Sequence, residues 1–457
     1  MARIVIVSNR VPVPSARGIK AGGLAVVLKG AIKAGDMWFG WSGRTADETS
    51  RDAHISTYNG IDYATLDLSD DDYKKFYVGF ANGTLWPLLH FRLGLMEFRR
   101  EHMEGYRAVN ESFARSLYKL LRPDDLIWVH DYHLIPLAAK LRLLGAKNRM
   151  GFFLHIPFVP SSVFASLPQG KALLEDFCAY DAIGFQTAEH HRDFLDSVRH
   201  ILRVPARDDG AILTKDRIVR SIVAPVGIDG SSFRHKAELS IKSRNSRRLI
   251  DSMNGCLLMI GVDRLDYSKG LPNRFEALNR LLTRFPEHMR KVSFLQIAAP
   301  SREEVTQYAA LRPVLNRMAG DINGRHGAFD WTPLRYMSQG VARSTLAGFY
   351  RLARVGVVTP LRDGMNLVAH EYVAAQNPED PGVLVLSQFA GVASYFTDAL
   401  IVNPYDPDEI AEAMHAAILM PLDERKRRHQ SLAAQLKKLT TAAYCATFLK
   451  ALAGSPT

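Results

Sequence analysis

An alternation that runs the length of the chain constrains its fold more than any other feature. A short apolar run is followed by a turn, and the turn by a stretch with helical periodicity. In the first half the apolar runs are Arg3–Ser8, Leu126–His130, Met150–His155 and Ala182–Gln186. Helical patterns follow at about Leu24–Lys33, Leu134–Leu144, Lys171–Cys178 and Ala188–Arg199. In the second half the runs are Leu257–Val262, Val292–Ile297, Val355–Thr359, Gly382–Leu386 and Leu400–Val402. Helices are expected at Asn273–Arg284, Glu303–Met318, Ser344–Arg351, Asn366–Ala374 and Pro407–Met420, with a last helical stretch from about Asp423 to Leu452. Short apolar strands that alternate with helices pair in parallel and are covered by those helices, so the fold class is α/β.

The chain has 457 residues, and at roughly 100–200 residues per domain it makes two or three domains. Phe233–Ser252 is polar and rich in Lys, Arg and Ser, and reads as the crossing between two α/β domains. The boundary is set at 238/239, giving an N-terminal domain 1–238 and a C-terminal domain 239–457. The last helix is a candidate to pack back on the first domain. Two doubly wound domains that face each other leave a cleft at the carboxyl ends of their strands, where open α/β sheets bind ligands.

Composition removes several classes. No apolar run approaches the ~18 residues that span a bilayer, and the apolar stretch before Arg10 is too short for a signal-peptide core. The expected compartment is the cytoplasm, with no membrane partner. Cys178, Cys256 and Cys445 are odd in number and far apart, which excludes a disulfide framework and a cysteine zinc site. There are 58 basic and 47 acidic residues, a net charge of +11. The basic residues are dispersed, with no zinc-finger spacing and no aromatic-plus-basic signature, so no nucleic-acid partner is expected. A solvated basic surface and a cleft for anionic small substrates both fit this charge.

Four segments can carry chemistry. Gly22-Gly23 precedes a helix, which suits close approach of a phosphate but also an ordinary tight turn. Arg264 and Lys269 share a strand-exit loop, where a planar fork and a point charge can grip a pyrophosphate, or simply be solvated. Asp363 lies at the mouth of a helix expected from Asn366, with Gly364 turning the loop and the amides of Met365, Asn366 and Leu367 facing any anion there. Glu371 sits more than one turn inside, where a helix-surface carboxylate is the plain alternative. Asp131, His155 and Arg302 each follow a strand, and Trp38, Trp41, Tyr77 and Trp86 supply aromatics. The spacing of His130, Asp131 and His133 matches no usual metal motif, so no metal site is expected. A Gly-x-Ser-x-Gly elbow, a Gly-Lys-Ser/Thr phosphate loop and a His-Glu-x-x-His helix are absent from the sequence.

From Arg3 to about Asp406 the chain resembles the bacterial-type UDP-forming α,α-trehalose-phosphate synthases of glycosyltransferase family 20. The matching blocks include Val7–Arg10, Ala21–Leu24, Trp38–Gly43, Leu85–Pro87, Trp128–Pro136, Gly151–Phe158, Gly184–Thr187 and Arg264–Gly270. They continue through Ile322–Gly324, Trp331–Pro333, Thr359–Asn366 and Ser387–Gly391. The resemblance implies a GT-B fold, two Rossmann-like domains with the active site in the cleft between them. It implies retaining transfer of glucose from UDP-glucose to glucose 6-phosphate, with no metal cofactor. A homo-oligomer is the family default.

The resemblance also assigns roles. Arg10, Tyr77 and Arg302 take the acceptor phosphate and Asp131 its hydroxyls, with Trp41 and Trp86 nearby. Gly22, Gly23, Arg264 and Lys269 lie at the UDP diphosphate. His155 and Asp363 meet the donor glucose, near Gly364 and the backbone of Met365, Asn366 and Leu367, and Glu371 takes the ribose. The uracil contact, a backbone interaction, maps near Val341. Catalysis falls to Asp131, His155, Arg264, Lys269 and Asp363. Asp363 is a candidate nucleophile for double displacement, and front-face attack is the preferred alternative. Rival readings are a glucosylglycerol-phosphate synthase, a pseudo-sugar transferase, a non-catalytic sugar-phosphate sensor and a nucleic-acid binder.

Overall fold

The structure, a computed structural model, describes residues 2–14, 27–28, 30–302 and 304–454. Gly22, Gly23 and positions 24–26 and 29 of the Leu24–Lys33 pattern lie outside the described residues. The chain divides into two compact units, Met1–Val226 with Thr441–Thr457, and Gly227–Thr440. The boundary set at 238/239 falls inside a helix, Gly230–Ser240. The polar stretch around it is not a linker. It forms that helix and a second, Arg244–Ser252, whose caps Asp229 and Ser243 accept from the amides of Ser232 and Ser246. Phe233 and Ala237, one turn apart, are buried in the core of the second unit. A helix with so narrow an apolar stripe has the composition of a linker.

Among the described residues, the first unit is built on a nine-stranded sheet. Its strands are β1 (Ile4–Arg10), β2 (Met37–Ala46), β3 (His54–Tyr58), β4 (Ile61–Ser69), β5 (Leu126–His130), β6 (Arg149–Phe153), β7 (Ala182–Phe185), β8 (Ala211–Leu213) and β9 (Ile218–Val223). The order is β3-β4-β2-β1-β5-β6-β7-β9-β8. Only the edge strands β3 and β8 pair antiparallel. The strand order reverses between β1 and β5, which pair in parallel, and this is the point where an α/β sheet opens a crevice at its carboxyl edge.

The second unit holds a six-stranded, wholly parallel sheet. Its strands are β10 (Leu257–Arg264), β11 (Val292–Ala299), β12 (Leu334–Met337), β13 (Val355–Val358), β14 (Val383–Ser387) and β15 (Leu400–Val402). They lie in the order β12-β11-β10-β13-β14-β15. Numbered within the unit this is 3-2-1-4-5-6, the doubly wound dinucleotide-binding order, with its switch point between β10 and β13. No helix among the described residues is long and apolar enough to cross a membrane.

The expected last helical stretch is two helices, Leu422–Leu436 and Thr441–Leu452. The second belongs to the first unit, where Phe448 fills space that two strand glycines leave open. A Cβ on Gly151 or Gly184 would come within 2.8 Å of its ring. Phe448 also stacks on Trp128, centroids 4.9 Å apart, and Arg149 Nε donates to the Leu452 carbonyl at 2.5 Å. Phe448→Ala is expected to cost about 3–5 kcal/mol of stability, as core aromatic truncations do, read by urea denaturation. A loss below about 1 kcal/mol, far short of a core truncation, would mean that this helix is not part of the core.

Candidate active site

In the first unit the site residues gather at the carboxyl ends of β1, β2, β5 and β6. Asp131 follows β5 with φ 73° and ψ 164°, a region that costs a non-glycine residue about 1–3 kcal/mol. Bonds on both sides hold it: its amide donates to the Phe153 carbonyl at 2.9 Å, its carbonyl accepts from the Leu134 amide at 3.1 Å, and its carboxylate accepts from the His155 amide at 3.2 Å. His155 is in turn 3.1 Å, Nε2 to Nδ1, from His130 at the end of β5. Arg10 is exposed at the end of β1 and its guanidinium lies over Gly43, where a Cβ would sit 2.5 Å from Nε.

A run of rings joins the remaining residues of this group. Trp41 lies 5.2 Å from Tyr73 and 6.0 Å from Tyr77, and Tyr77 stacks on His133 at 5.7 Å with planes 9° apart. His133 lies 3.9 Å from Tyr132, which lies 5.6 Å from Trp86. Tyr77 belongs to a 13-residue π-helix, Tyr73–Leu85. Such wide helices are rare and concentrate at functional sites. Asn82 ties this helix to the run: its amide donates to the Tyr77 carbonyl at 2.8 Å, and its oxygen accepts from the Tyr132 hydroxyl at 2.7 Å.

In the second unit the site residues follow β10, β11 and β13. Lys269 Nζ lies 2.5 Å from Asp363 Oδ2, and Asn366 Nδ2 donates to the same oxygen at 3.0 Å. Asn366 caps the helix Leu367–Ala375 and carries the left-handed backbone of this loop, φ 78°; Gly364 does not. Met365 is buried beside it. Arg264 and Arg302 both approach Asp266, at 3.8 and 3.7 Å. Asp266 is fully buried, and Tyr308 donates its hydroxyl to it at 3.3 Å while accepting from Arg302 Nη1 at 2.7 Å. Glu371 accepts from Arg343 Nε at 2.7 Å. Burial raises its carboxyl above the ordinary value, against the opposing pull of Arg343. Val341, half-buried, packs against the core two residues before Arg343.

Sequence reasoning overlooked the residues that hold these in place. Arg274 is fully buried and bonds Asp263, Gln296 (2.9 Å), Thr359 (3.0 Å) and the Lys269 carbonyl (3.3 Å), joining the ends of three strands to the Lys269 loop. Asp266, Tyr308 and Arg343 are of the same kind. Asp266 stands inside a quoted block and could have been found as the one carboxylate between Arg264 and Lys269. Tyr308, Arg274 and Arg343 carry no such local mark.

Of three histidines near these groups, His130 and His370 are buried and His155 is half-buried, and all three are pushed toward the neutral form. Burial pushes His155 down from 6.5 to about 3 and His370 to about 4, and takes His130 well below its usual value, helped by His155. The unfolded chain then binds more protons than the native one between about pH 3 and 6.5, so native stability is lost as pH falls through that window. The thermal midpoint should fall as pH drops from about 6.5 to 4, and His370→Gln should flatten the slope. Calorimetry at several pH values checks this, and equal slopes in both proteins would contradict it.

The sequence profile described as glycosyltransferase family 20 matches residues 3–454. A trehalose-6-phosphate synthase of Sodalis glossinidius is 45% identical over 457 residues, which cover 100% of this chain and 97% of that one. The crystal structure of the UDP-forming α,α-trehalose-phosphate synthase of Burkholderia xenovorans with glucose-6-phosphate is 44% identical, with a TM-score of 0.95 and 99% and 100% of the two chains covered. The Escherichia coli trehalose-6-phosphate structure bound with UDP-2-fluoro glucose is 44% identical, with a TM-score of 0.93 and 99% of each chain covered. Two parallel α/β units of this order are those of a GT-B fold, and the chain belongs to glycosyltransferase family 20.

Proposed function

We propose that this protein transfers glucose from UDP-glucose to glucose 6-phosphate with retention, releasing α,α-trehalose 6-phosphate and UDP. The observation that carries the reading is the cluster of Lys269, Asp363 and Asn366 at the mouth of helix Leu367–Ala375. An ammonium group and free helix amides stand together there, which suits a diphosphate that gains charge as it leaves. The relatives solved with glucose-6-phosphate and with UDP-2-fluoro glucose support the same pair of substrates.

In this reading Arg264, Lys269 and the amides of Asn366 and Leu367 stabilise the departing diphosphate, and no metal is needed. Arg10, Tyr77 and Arg302 hold the acceptor phosphate, Asp131 its hydroxyls, and Trp41 and Trp86 line its pocket. Glu371 takes the ribose while Arg343 fixes its carboxylate. His155, neutral, meets a donor hydroxyl without adding charge. Asp363 Oδ2 is already engaged by two donors, which lowers its power as a nucleophile and favours front-face attack. The acceptor hydroxyl then enters the face that the diphosphate leaves, configuration is retained, and a departing phosphate oxygen takes the proton. A homo-oligomer and a cytoplasmic location complete the proposal.

Lys269→Ala is expected to lower kcat by about 10²–10³, the usual loss for one donor to developing charge. Arg302→Ala should raise KM for glucose 6-phosphate far more than KM for UDP-glucose, and equal increases would contradict its role. UDP release from UDP-, ADP- and GDP-glucose, each with glucose 6-phosphate or glycerol 3-phosphate, tests the reaction itself. Activity with UDP-glucose and glucose 6-phosphate alone, undiminished by chelator, is the expected result. Activity only with glycerol 3-phosphate would favour the glucosylglycerol-phosphate alternative, and metal-restorable inhibition would overturn the metal-free mechanism.

A further inference from the structure

The loop between helix Leu271–Arg284 and β11 carries a short turn, Pro286–His288, and helix Pro407–Leu419 runs past it. Three potential ligand atoms converge where they meet. His288 Nε2 is 2.8 Å from His415 Nδ1, and His415 Nδ1 is 3.8 Å from Glu287 Oε1. All three residues offer a ligand atom within 4.8 Å of one another. We propose that Glu287, His288 and His415 form a binding site for a divalent transition-metal ion of the Zn²⁺ class, separate from the residues of the glycosyl-transfer site.

Two imidazoles and one carboxylate form a borderline donor set that suits Zn²⁺ and its neighbours over Mg²⁺ or Ca²⁺. Tetrahedral ligands at ~2.0–2.2 Å from an ion stand roughly 3.3 Å apart, so the imidazole nitrogens open by about half an ångström, and the carboxylate closes by about as much on His415 and by up to about 1.5 Å on His288, which a half-exposed side chain can do by rotation. The ion takes the position of the proton that the two rings share. A ring–ring hydrogen bond alone explains the histidine pair, but it makes no use of a carboxylate directed at the same Nδ1.

The surroundings fix these atoms. His288 is 2% exposed. Phe285 lies under the His415 ring, 3.9 Å away with planes 15° apart. Of the nearby cations, Arg284 is neutralised by Asp408 at 3.0 Å and Glu412 at 2.7 Å, while Lys291 acts on His288 against the pull of Glu287. The Glu287 side chain is 51% exposed, which leaves a path for the ion and room for a water ligand.

Position separates this site from catalysis. Pro286–His288 lies on a helix-to-strand connection, at the amino edge of the second sheet. Arg264, Lys269, Arg302 and Asp363 follow strands, at its carboxyl edge. An ion at His288 is therefore structural and takes no part in glycosyl transfer.

The test is a calorimetric titration of chelator-treated full-length protein with Zn²⁺, repeated with Co²⁺ for its visible spectrum. One saturable equivalent and the intense visible bands of tetrahedral Co²⁺ are expected. His415→Ala and Glu287→Gln should each weaken binding by more than about 100-fold, since even outer-shell changes cost 10–100-fold. UDP release should be unchanged in both variants. Should His415→Ala fail to fold, Glu287→Gln carries the test, because its side chain is exposed. No saturable equivalent in the unaltered chain, or Zn²⁺ affinity in the folded variants within about threefold of it, would overturn the proposal.

Discussion

Parallel pairing of β10 with β11 on one side and β13 on the other is the constraint from which the second unit's chemistry follows. It brings the carboxyl ends of three strands together at a switch point. Arg274 then ties them: one buried guanidinium bonds groups on β10 and β11, Thr359 just after β13, and the loop of Lys269. Gly261 leaves room for it, since a Cβ there would come 2.4 Å from Gln296 Oε1 and 2.8 Å from Arg274 Nη1. Gly270 closes the same loop with φ 66°, where a Cβ would meet the Thr359 carbonyl at 2.5 Å. Position thus comes from buried, fully bonded polar groups, which rigidify a site when every member is satisfied.

The positive groups do not stand alone in this unit. Asp266 lies beside Arg264 and Arg302, and Asp363 holds Lys269. Such pairing keeps long basic side chains in one place before any ligand arrives. It also keeps like charges from repelling one another at the carboxyl edge. A phosphate that enters then meets groups already oriented, which is how a site stabilises charge without reorganising during reaction.

Much of this was legible in the sequence, and the gaps have physical causes. The buried strands β1, β5, β6, β7, β10, β11, β13 and β14 read as short apolar runs because helices cover both faces, and the edge strand β15 reads as one although its Ile401 is exposed. β3 and β8 are edge strands with polar or exposed positions, and β4 interrupts its apolar residues with Asp62, Thr65 and Asp67. The π-helix Tyr73–Leu85 has no 3.6-residue period to find. Helix Arg100–Tyr118 does show one, in Met103, Tyr106, Val109, Phe113 and Leu117, yet the charges between them obscure it. The strand-end residues could be named from the chain, because their turns follow apolar runs directly. Their partners could not, because Arg274, Tyr308 and Arg343 lie on helices or helix entries whose neighbours are set only by folding.

The most direct measurement is a crystal structure of this chain with UDP and glucose 6-phosphate. The account predicts the Lys269 ammonium within hydrogen-bond reach of a diphosphate oxygen, Arg264 on the same group and Arg302 on the sugar phosphate. Ligands bound elsewhere, with Lys269, Arg264 and Arg302 all out of hydrogen-bond reach of any phosphate oxygen, would contradict it.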